Sequence, residues 1–463
     1  MSREASASAG ARLPVGVKLG FGVCDLGGNL FFTVMGFYML FFLTDHLGLR
    51  AGLAGTALMI GKAWDAVTDP AVGYLSDRTR TRWGRRRPYI FWGAIALFFT
   101  MVLMFTDVGF QSQSALFLWV GFTYCLLNTA YTLVNIPYGA LTPEVTTDFY
   151  ERTVLNGYRM VFAVVGTFVG AAAVLPLLGA FGGGDLGWTM VGVVMGAVMA
   201  VTALITFFTI KEKSHPPAGP GINVFRSYFE VLRMKPFVTA LIPWACHITG
   251  INIIQASLLY YFRVIYGFEA GFQIALPILL GSSMFFIPIW VKVSARIGKK
   301  ASYNIGMGIF AATVLCFFLF GHLAGVELAY VLMFIAGIGF ATQYVMPFAI
   351  VPDVVEYDFA DTGVRREGVF YGLWTFVSKM GQAFGIALNG WVLTWFGYQE
   401  SVAGAPAPVQ TEAAQFGIRL LVGPIPAVFF VIGIVVLLQY PINTVRYQEI
   451  MDRIARRDAD AST

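Results

Sequence analysis

The segment GKAWDAVTDPAVGYLSD at residues 61–77 carries the densest chemistry in the chain. Lys62, Asp65 and Asp69 stand at i, i+3 and i+7, so a helix gathers all three on one face. Thr68 neighbours that face. Pro70 has no N–H, which leaves the carbonyl of Ala66 without its helical donor. Two carboxylates, a hydroxyl and a freed carbonyl are hard oxygen ligands of the kind a small cation takes. Alternatively, one carboxylate holds a proton, because close like charges raise a carboxyl pKa. The plainer alternative is an ion pair of Lys62 with one aspartate, but one lysine cannot neutralise two carboxylates.

Three more charged groups lie deep in apolar sequence: Asp25, Arg159 and Lys379. Each buried charge costs about 2.5–3.5 kcal/mol at a membrane-helix centre, so a function or a partner must offset it. Asn128, Thr129, Tyr131, Thr132 and Asn135 form a polar stretch within another apolar run. With aromatics nearby, such a stretch suits a hydroxyl-rich ligand, or it joins helices by hydrogen bonds. His247 reads as a core histidine.

The elements that must position these groups follow from composition. Of 463 residues, 57% are hydrophobic and only 12% charged, against about 25% charged in a soluble domain. Mean hydropathy is +0.70. There is too little polar surface to coat a soluble globule, so the chain reads as an all-α polytopic membrane protein. Twelve stretches are long and apolar enough to span: about 17–44, 52–76, 88–107, 114–142, 154–179, 187–210, 237–265, 272–294, 301–321, 327–351, 368–396 and 415–440. The first is too long for a cleaved signal peptide and contains Asp25. The runs are continuous rather than alternating, which argues against a β-barrel. Of 31 Lys and Arg, 25 fall in one set of connections and tails and 2 (Arg50, Arg263) in the other. That asymmetry places both termini in the cytoplasm. The four cysteines lie in apolar runs and are expected to form no disulfide.

The chain reads as two halves. Residues 1–210 hold six spans, 211–236 form a hydrophilic connection, 237–440 hold six more, and 441–463 are a cytoplasmic tail. Within the connection, FRSYFEVLRM is short, basic and amphipathic, suited to a membrane surface. Gly84–Arg85–Arg86 after span two returns as Gly298–Lys299–Lys300 after span eight, 214 residues later. LTPEV at 141–145 returns as IVPDV at 350–354, 209 residues later. A parallel six-plus-six repeat with polar groups at mid-depth is the pattern of a rocking-bundle secondary transporter. Asp65 and Asp69 correspond to Leu279 and Ser283 at the repeat offset, so the shared architecture does not require them. No nucleophile–base motif, zinc motif or P-loop is present, which argues against an enzyme or a primary pump.

The segments WDAVTDPAVGYLSDRTRTRWGRRRPY (64–89), YTLVNIPYGALTPEVTTDFYERTVLNGYRM (131–160) and PDVVEYDFADTGVRREGVFYGLWTFVSKMGQAFG (352–385) jointly resemble the glycoside–pentoside–hexuronide:cation symporter family. The resemblance spans both halves and implies the major facilitator fold and cation-coupled uptake by alternating access. It implies a cation site of Asp65, Asp69, Thr68 and Thr132, and a substrate site of Asp25, Asn135, Arg159, Thr132, Tyr344 and Lys379. Gly73, Asp77, Arg78, Gly84 and Arg85 resemble the major facilitator loop signature, in which acid and arginines latch one access state. The acids of DVVEYDFAD, Asp353, Glu356 and Asp358, are candidates to partner that latch from the other half. Three departures from the family's melibiose permease stand out: Asn135 in place of an aspartate, Gly139 in place of a ring-stacking tryptophan, and Thr68 in place of an asparagine. The family also has animal relatives that move lysophospholipids with sodium.

The expectation is therefore symport of a sugar or glycoside with sodium or a proton, with a lysophospholipid or other amphiphile as the alternative cargo. No cofactor and no nucleic acid are expected. The expected setting is a monomer in the bilayer of a bacterial cytoplasmic membrane.

Overall fold

The computed structural model describes residues 13–146, 149–212, 224–364, 366–401 and 408–462. They are almost wholly helical, and the one β-type pairing among them is a single bridge between Thr81 and Gly84. The chain divides into two compact units, residues 1–218 with 400–407, and residues 219–399 with 408–463. The division falls inside the 211–236 connection.

The first unit contains α1 (Val15–Gly22), α2 (Cys24–Phe37), α3 (Met39–Asp45), α4 (Ala51–Arg78), α5 (Arg87–Met104), α6 (Gln113–Val145), α7 (Phe149–Ala172), α8 (Val174–Ala180) and α9 (Gly184–Thr209). The second contains α10 (Val224–Leu232), α11 (Lys235–Tyr260), α12 (Ala270–Ile297), α13 (Lys299–Cys316), α14 (Gly325–Phe340), α15 (Met346–Thr362), α16 (Glu367–Trp395), α17 (Glu412–Val422), α18 (Pro424–Leu437) and α19 (Thr444–Ser462). The expected first span is interrupted at Val23 and at Tyr38. The last is broken at Gly423, where Pro424 follows and cannot continue the ladder.

Ten helical stretches among the described residues are long and apolar enough to cross a membrane. Of the twelve spans expected, the two outside that set are α4 and α16, at 28 and 29 residues. Both are long enough, but α4 carries Lys62, Asp65 and Asp69, and α16 carries Lys379. They fall short in apolarity because they hold the charges.

The two units share one packing plan. In the first, α2 packs on α7 and α9, α4 on α6, and α5 on α6 and α9. In the second, α11 packs on α16 and α18, α12 on α14, and α13 on α14 and α18. These are the same neighbours under the repeat. In lipid there is no hydrophobic drive between helices, so close backbone approach must hold them. Gly61 shows how: a Cβ there would lie 2.2 Å from the Tyr124 ring, so glycine lets α4 close on α6.

Candidate functional site

Because α4 lies against α6, the aspartates of one helix meet a hydroxyl of the other. Thr132 Oγ1, fully buried, stands 2.9 Å from Asp65 Oδ1 and 3.0 Å from Asp69 Oδ1. A hydroxyl has one proton, so it donates to one carboxylate at a time while its lone pairs remain available. Three oxygens thus converge from two helices. Asp65 and Thr68 are buried, and Asp69 is half-buried. Thr68 Oγ1 donates to the Asp65 carbonyl at 3.2 Å, so its hydroxyl is held by its own helix. Lys62 Nζ stands 4.0 Å from Asp65 Oδ2 and 5.3 Å above the Phe32 ring. That is a loose approach rather than a tight hydrogen-bonded pair. Among the described residues no three His, Cys, Asp or Glu side chains cluster as a transition-metal site would require. The donor set is oxygen only and suits a small hard cation or a proton.

A second group forms between α2, α6 and α7. Asp25 lies in the first turn of α2, just past the break at Val23. Arg159 on α7 clasps it with two bonds, Nε to Oδ2 at 2.7 Å and a terminal nitrogen to Oδ1 at 3.2 Å. The Tyr138 hydroxyl also contacts Asp25 Oδ2 and stands 3.0 Å from the Phe21 carbonyl. The guanidinium lies 4.8 Å above the Tyr138 ring and donates to Thr142 Oγ1 at 3.2 Å. Charge-assisted bidentate bonds are strong and directional, so this constellation is rigid. Tyr138 was absent from the residues expected in the site, although its place one turn past Asn135 on a polar helix face was a usable signal.

Beside Asp25 a cavity of about 120 Å³ opens between α2, α5, α6 and α9. Asn135, Tyr131 and Tyr138 line it together with Asp25. Tyr131 stacks on Phe31 at 4.4 Å, one residue along α6 from Thr132. The Asp65–Asp69–Thr132 group and the cavity therefore share one stretch of α6. No heavy atom lies within 4 Å of where a Cβ of Gly139 would stand, so the position of the family's tryptophan is open space here.

Tyr344 and Lys379 belong to the second unit. Tyr344 ends a 3₁₀ turn at Ala341–Tyr344, is 46% exposed, and meets Phe340 edge-on. Lys379 is half-buried on α16. Its neighbour Ser378 accepts from Trp244 Nε1 on α11, and Trp244 stacks on Trp374 at 5.5 Å, which fixes this turn of the helix.

The loop signature forms a charge network in the first unit. Asp77 accepts from Arg86 at 2.7 Å, while Arg78 lies over the Tyr74 ring at 4.0 Å. Arg85 bonds Glu144 and stands 3.3 Å from Glu212; Arg86 reaches the same Glu144 at 2.6 Å. Bonding to Glu144 holds the Arg85 guanidinium above its ordinary pKa. Gly84 adopts φ +104°, and a Cβ there would fall 2.2 Å from Glu212 Oε2. Gly73 has only an ordinary contact with Ile136. Arg86, Glu144 and Glu212 were not among the expected gating residues; Glu144 lay within the repeated LTPEV motif, which was the signal for it.

The DVVEYDFAD acids lie on helix α15, and three of them, Asp353, Asp358 and Asp361, pair within their own unit, Asp361 with Arg453 at 2.7 Å. Lys299 Nζ donates to both oxygens of Asp353 at 2.7 and 2.8 Å. Arg366 clasps Asp358 through two 2.7 Å bonds and also holds Glu230 on α10. The Asp358 bond raises the Arg366 pKa. Asp353 and Asp358 are thus engaged by basic residues of their own unit.

Comparison with known proteins bears on the family and the fold. A family model described as MFS/sugar transport protein matches residues 20–444. An isoprimeverose transporter of Lactiplantibacillus pentosus is 27% identical over 453 residues, covering 95% of this chain and 91% of that one. A zebrafish (Danio rerio) protein, sodium-dependent lysophosphatidylcholine symporter 1-A, is 25% identical over 452 residues, covering 89% and 83%. Among solved structures, a bacterial homologue of the human lysosomal transporter Spinster superposes with a TM-score of 0.68 at 15% identity, over 92% of this chain and 95% of that one. The all-helical fold, the repeat and the family match make this chain a multi-pass membrane transporter rather than an enzyme, and it belongs to the MFS/sugar transport protein family.

Proposed function

We propose that the chain is a symporter in a bacterial cytoplasmic membrane, with both termini cytoplasmic. It takes up a sugar or glycoside with sodium or a proton by alternating access of two six-helix bundles, 1–210 and 237–440. The observation that carries this reading is the bridging of Asp65 and Asp69 by Thr132, one residue from a wall of the cavity beside Asp25. Asp65, Asp69 and Thr132 hold the cation, with the Thr68 hydroxyl oxygen nearby. Asp25, Arg159 and Asn135 hold sugar hydroxyls, and Tyr344 and Lys379 also take part in substrate binding. The network around Asp77, Arg85 and Arg86 biases one access state. Lys379 ties the two cargoes together.

A second reading, a lysophospholipid or other amphiphile as cargo, is favoured by the open space at Gly139 and by the name of the zebrafish relative. Uptake of labelled glycosides and of a lysophospholipid into proteoliposomes, driven in turn by a sodium and a proton gradient, decides between them. Accumulation of a glycoside under either gradient is the expected result. Accumulation of the lysophospholipid alone transfers the assignment to the amphiphile, and no gradient-driven accumulation of either overturns symport.

A further inference from the structure

Lys62 is a buried cation three residues before Asp65 on α4. Its Nζ stands 4.0 Å from Asp65 Oδ2, beyond hydrogen-bond distance. It also lies over two ring faces of α2, Phe31 at 5.6 Å and Phe32 at 5.3 Å. Aromatic faces attract a desolvated ammonium. Phe31 is itself held by stacking on Tyr131, the neighbour of Thr132. The lysine is therefore seated beside the carboxylates without hydrogen-bonding to them, while Asp65 Oδ1 and Asp69 Oδ1 both reach the Thr132 hydroxyl.

The donor set alone does not decide which cation enters. Two carboxylates and a hydroxyl are hard oxygen ligands that suit calcium or magnesium as well as sodium. In a membrane interior the balance of charge must decide, because an uncompensated charge there is costly. Within the spans of the first unit, Asp25 and Arg159 balance each other in their two-bond clasp. Asp65 and Asp69 bring two negative charges and Lys62 returns one positive, so a visiting cation meets one net negative charge. A single monovalent ion brings that to zero. A divalent ion, or two monovalent ions, would overshoot it.

We infer that Lys62 is the valence selector of this group: a fixed internal cation that limits Asp65, Asp69 and Thr132 to one monovalent ion and excludes divalent ions. The inference rests on the cation reading given above. At an effective dielectric of about 20 and a separation of roughly 5 Å, one unit charge changes the affinity of a monovalent ion by about a hundredfold and that of a divalent ion by about the square of that factor. Discrimination between the two valences therefore amounts to about a hundredfold.

Lys62→Met removes the charge and keeps most of the bulk. The test is calorimetric titration of the full chain in nanodiscs with sodium, lithium, magnesium and calcium chlorides at mildly alkaline pH, with choline chloride holding the ionic strength constant. The readouts are the calcium-to-sodium affinity ratio and the number of ions bound per chain, neither of which depends on transport. The wild-type chain is expected to bind one sodium ion, and no calcium at concentrations that saturate the variant. Lys62→Met is expected to raise the ratio by at least about a hundredfold, and Lys62→Arg, which keeps the charge, to hold the wild-type preference. Should Lys62→Met fail to fold, Lys62→Gln serves, with the same expected ratio. A wild type that binds calcium as tightly as sodium, a ratio unchanged in Lys62→Met, or one raised equally in Lys62→Arg overturns the selector while leaving the cation site intact. Calcium binding gained by Lys62→Met in a chain whose wild type binds neither sodium nor lithium supports the selector and makes the proton the coupling ion. If neither wild type nor variant binds any of the four ions, the group is no metal-ion site and the selector falls with it.

Discussion

Arg85 is bonded to Glu144 in the first unit as Lys299 is bonded to Asp353 in the second, where the distance is 2.7 Å. The two pairs are related by the repeat offsets of 214 and 209 residues. They are unequal in load. Glu144 answers both Arg85 and Arg86 and has a 7% exposed side chain, whereas Lys299, with a 42% exposed side chain, is well hydrated. Removing one partner of a buried pair costs about 3–5 kcal/mol, while an exposed pair contributes about 0–1 kcal/mol. The Lys299–Asp353 pair lies between these cases, because its Asp353 side chain is 9% exposed. Glu144→Gln is therefore expected to lower stability by about 3 kcal/mol and Asp353→Asn by about 2 kcal/mol. Denaturation followed in detergent checks the order; equal losses would contradict the unequal loading.

The Thr132 hydroxyl is shared by Asp65 and Asp69. Thr132→Val keeps the shape of the side chain and removes the oxygen. Cation affinity is expected to fall about tenfold, close to 1.4 kcal/mol, and Thr132→Ser to restore most of it. Titration of the coupling cation against tryptophan fluorescence reads this. An unchanged affinity in the valine variant would remove Thr132 from the cation site.

Asp65→Asn and Asp69→Asn each leave one carboxylate, too few anionic ligands to couple a cation. Both variants are expected to lose accumulation against a gradient while retaining counterflow exchange, which needs binding and rocking without net coupling. An Asp69→Asn protein that still concentrates substrate would show that coupling lies elsewhere.

Asp25 and Arg159 clasp each other through two bonds, with Tyr138 as a further partner. Asp25→Asn and Arg159→Ala are expected to weaken substrate binding by at least about 2 kcal/mol, because each leaves the other group without its charge partner. Tyr138→Phe removes one neutral donor and is expected to cost about 1 kcal/mol. Calorimetric binding of full affinity in both charge variants would refute their role as ligands.

Lys379→Val is expected to keep substrate binding measurable but to abolish the mutual enhancement between cation and substrate. Linkage makes that enhancement reciprocal, so each ligand's affinity is measured with and without the other. If the two still enhance each other by the wild-type factor, Lys379 plays a structural part only.

Much of this was legible in the sequence because membrane physics is severe. Apolar length announces spans, and a charge inside a span announces a site, which is how Asp25, Asp65, Asp69 and Arg159 stood out. The repeat was legible from two short motifs, and Arg85 with Glu144 fulfils it. Other features were hidden. Helix breaks at Val23 and Tyr38 carry no proline or glycine in the residue itself, so only packing discloses them. Asp77 pairs with Arg86, and three adjacent arginines, 85–87, do not disclose by residue type which guanidinium it takes.

The charges on α4 also bear on how the protein is made. A helix bearing Lys62, Asp65 and Asp69 faces a penalty of about 2.5–3.5 kcal/mol for each if released alone into lipid. The hydroxyl that answers two of them lies on α6, which has not yet been synthesised when α4 leaves the ribosome. Thr132 therefore meets Asp65 and Asp69 only once α6 has followed α4 into the bilayer, and a variant that neutralises those charges lowers the insertion cost of α4.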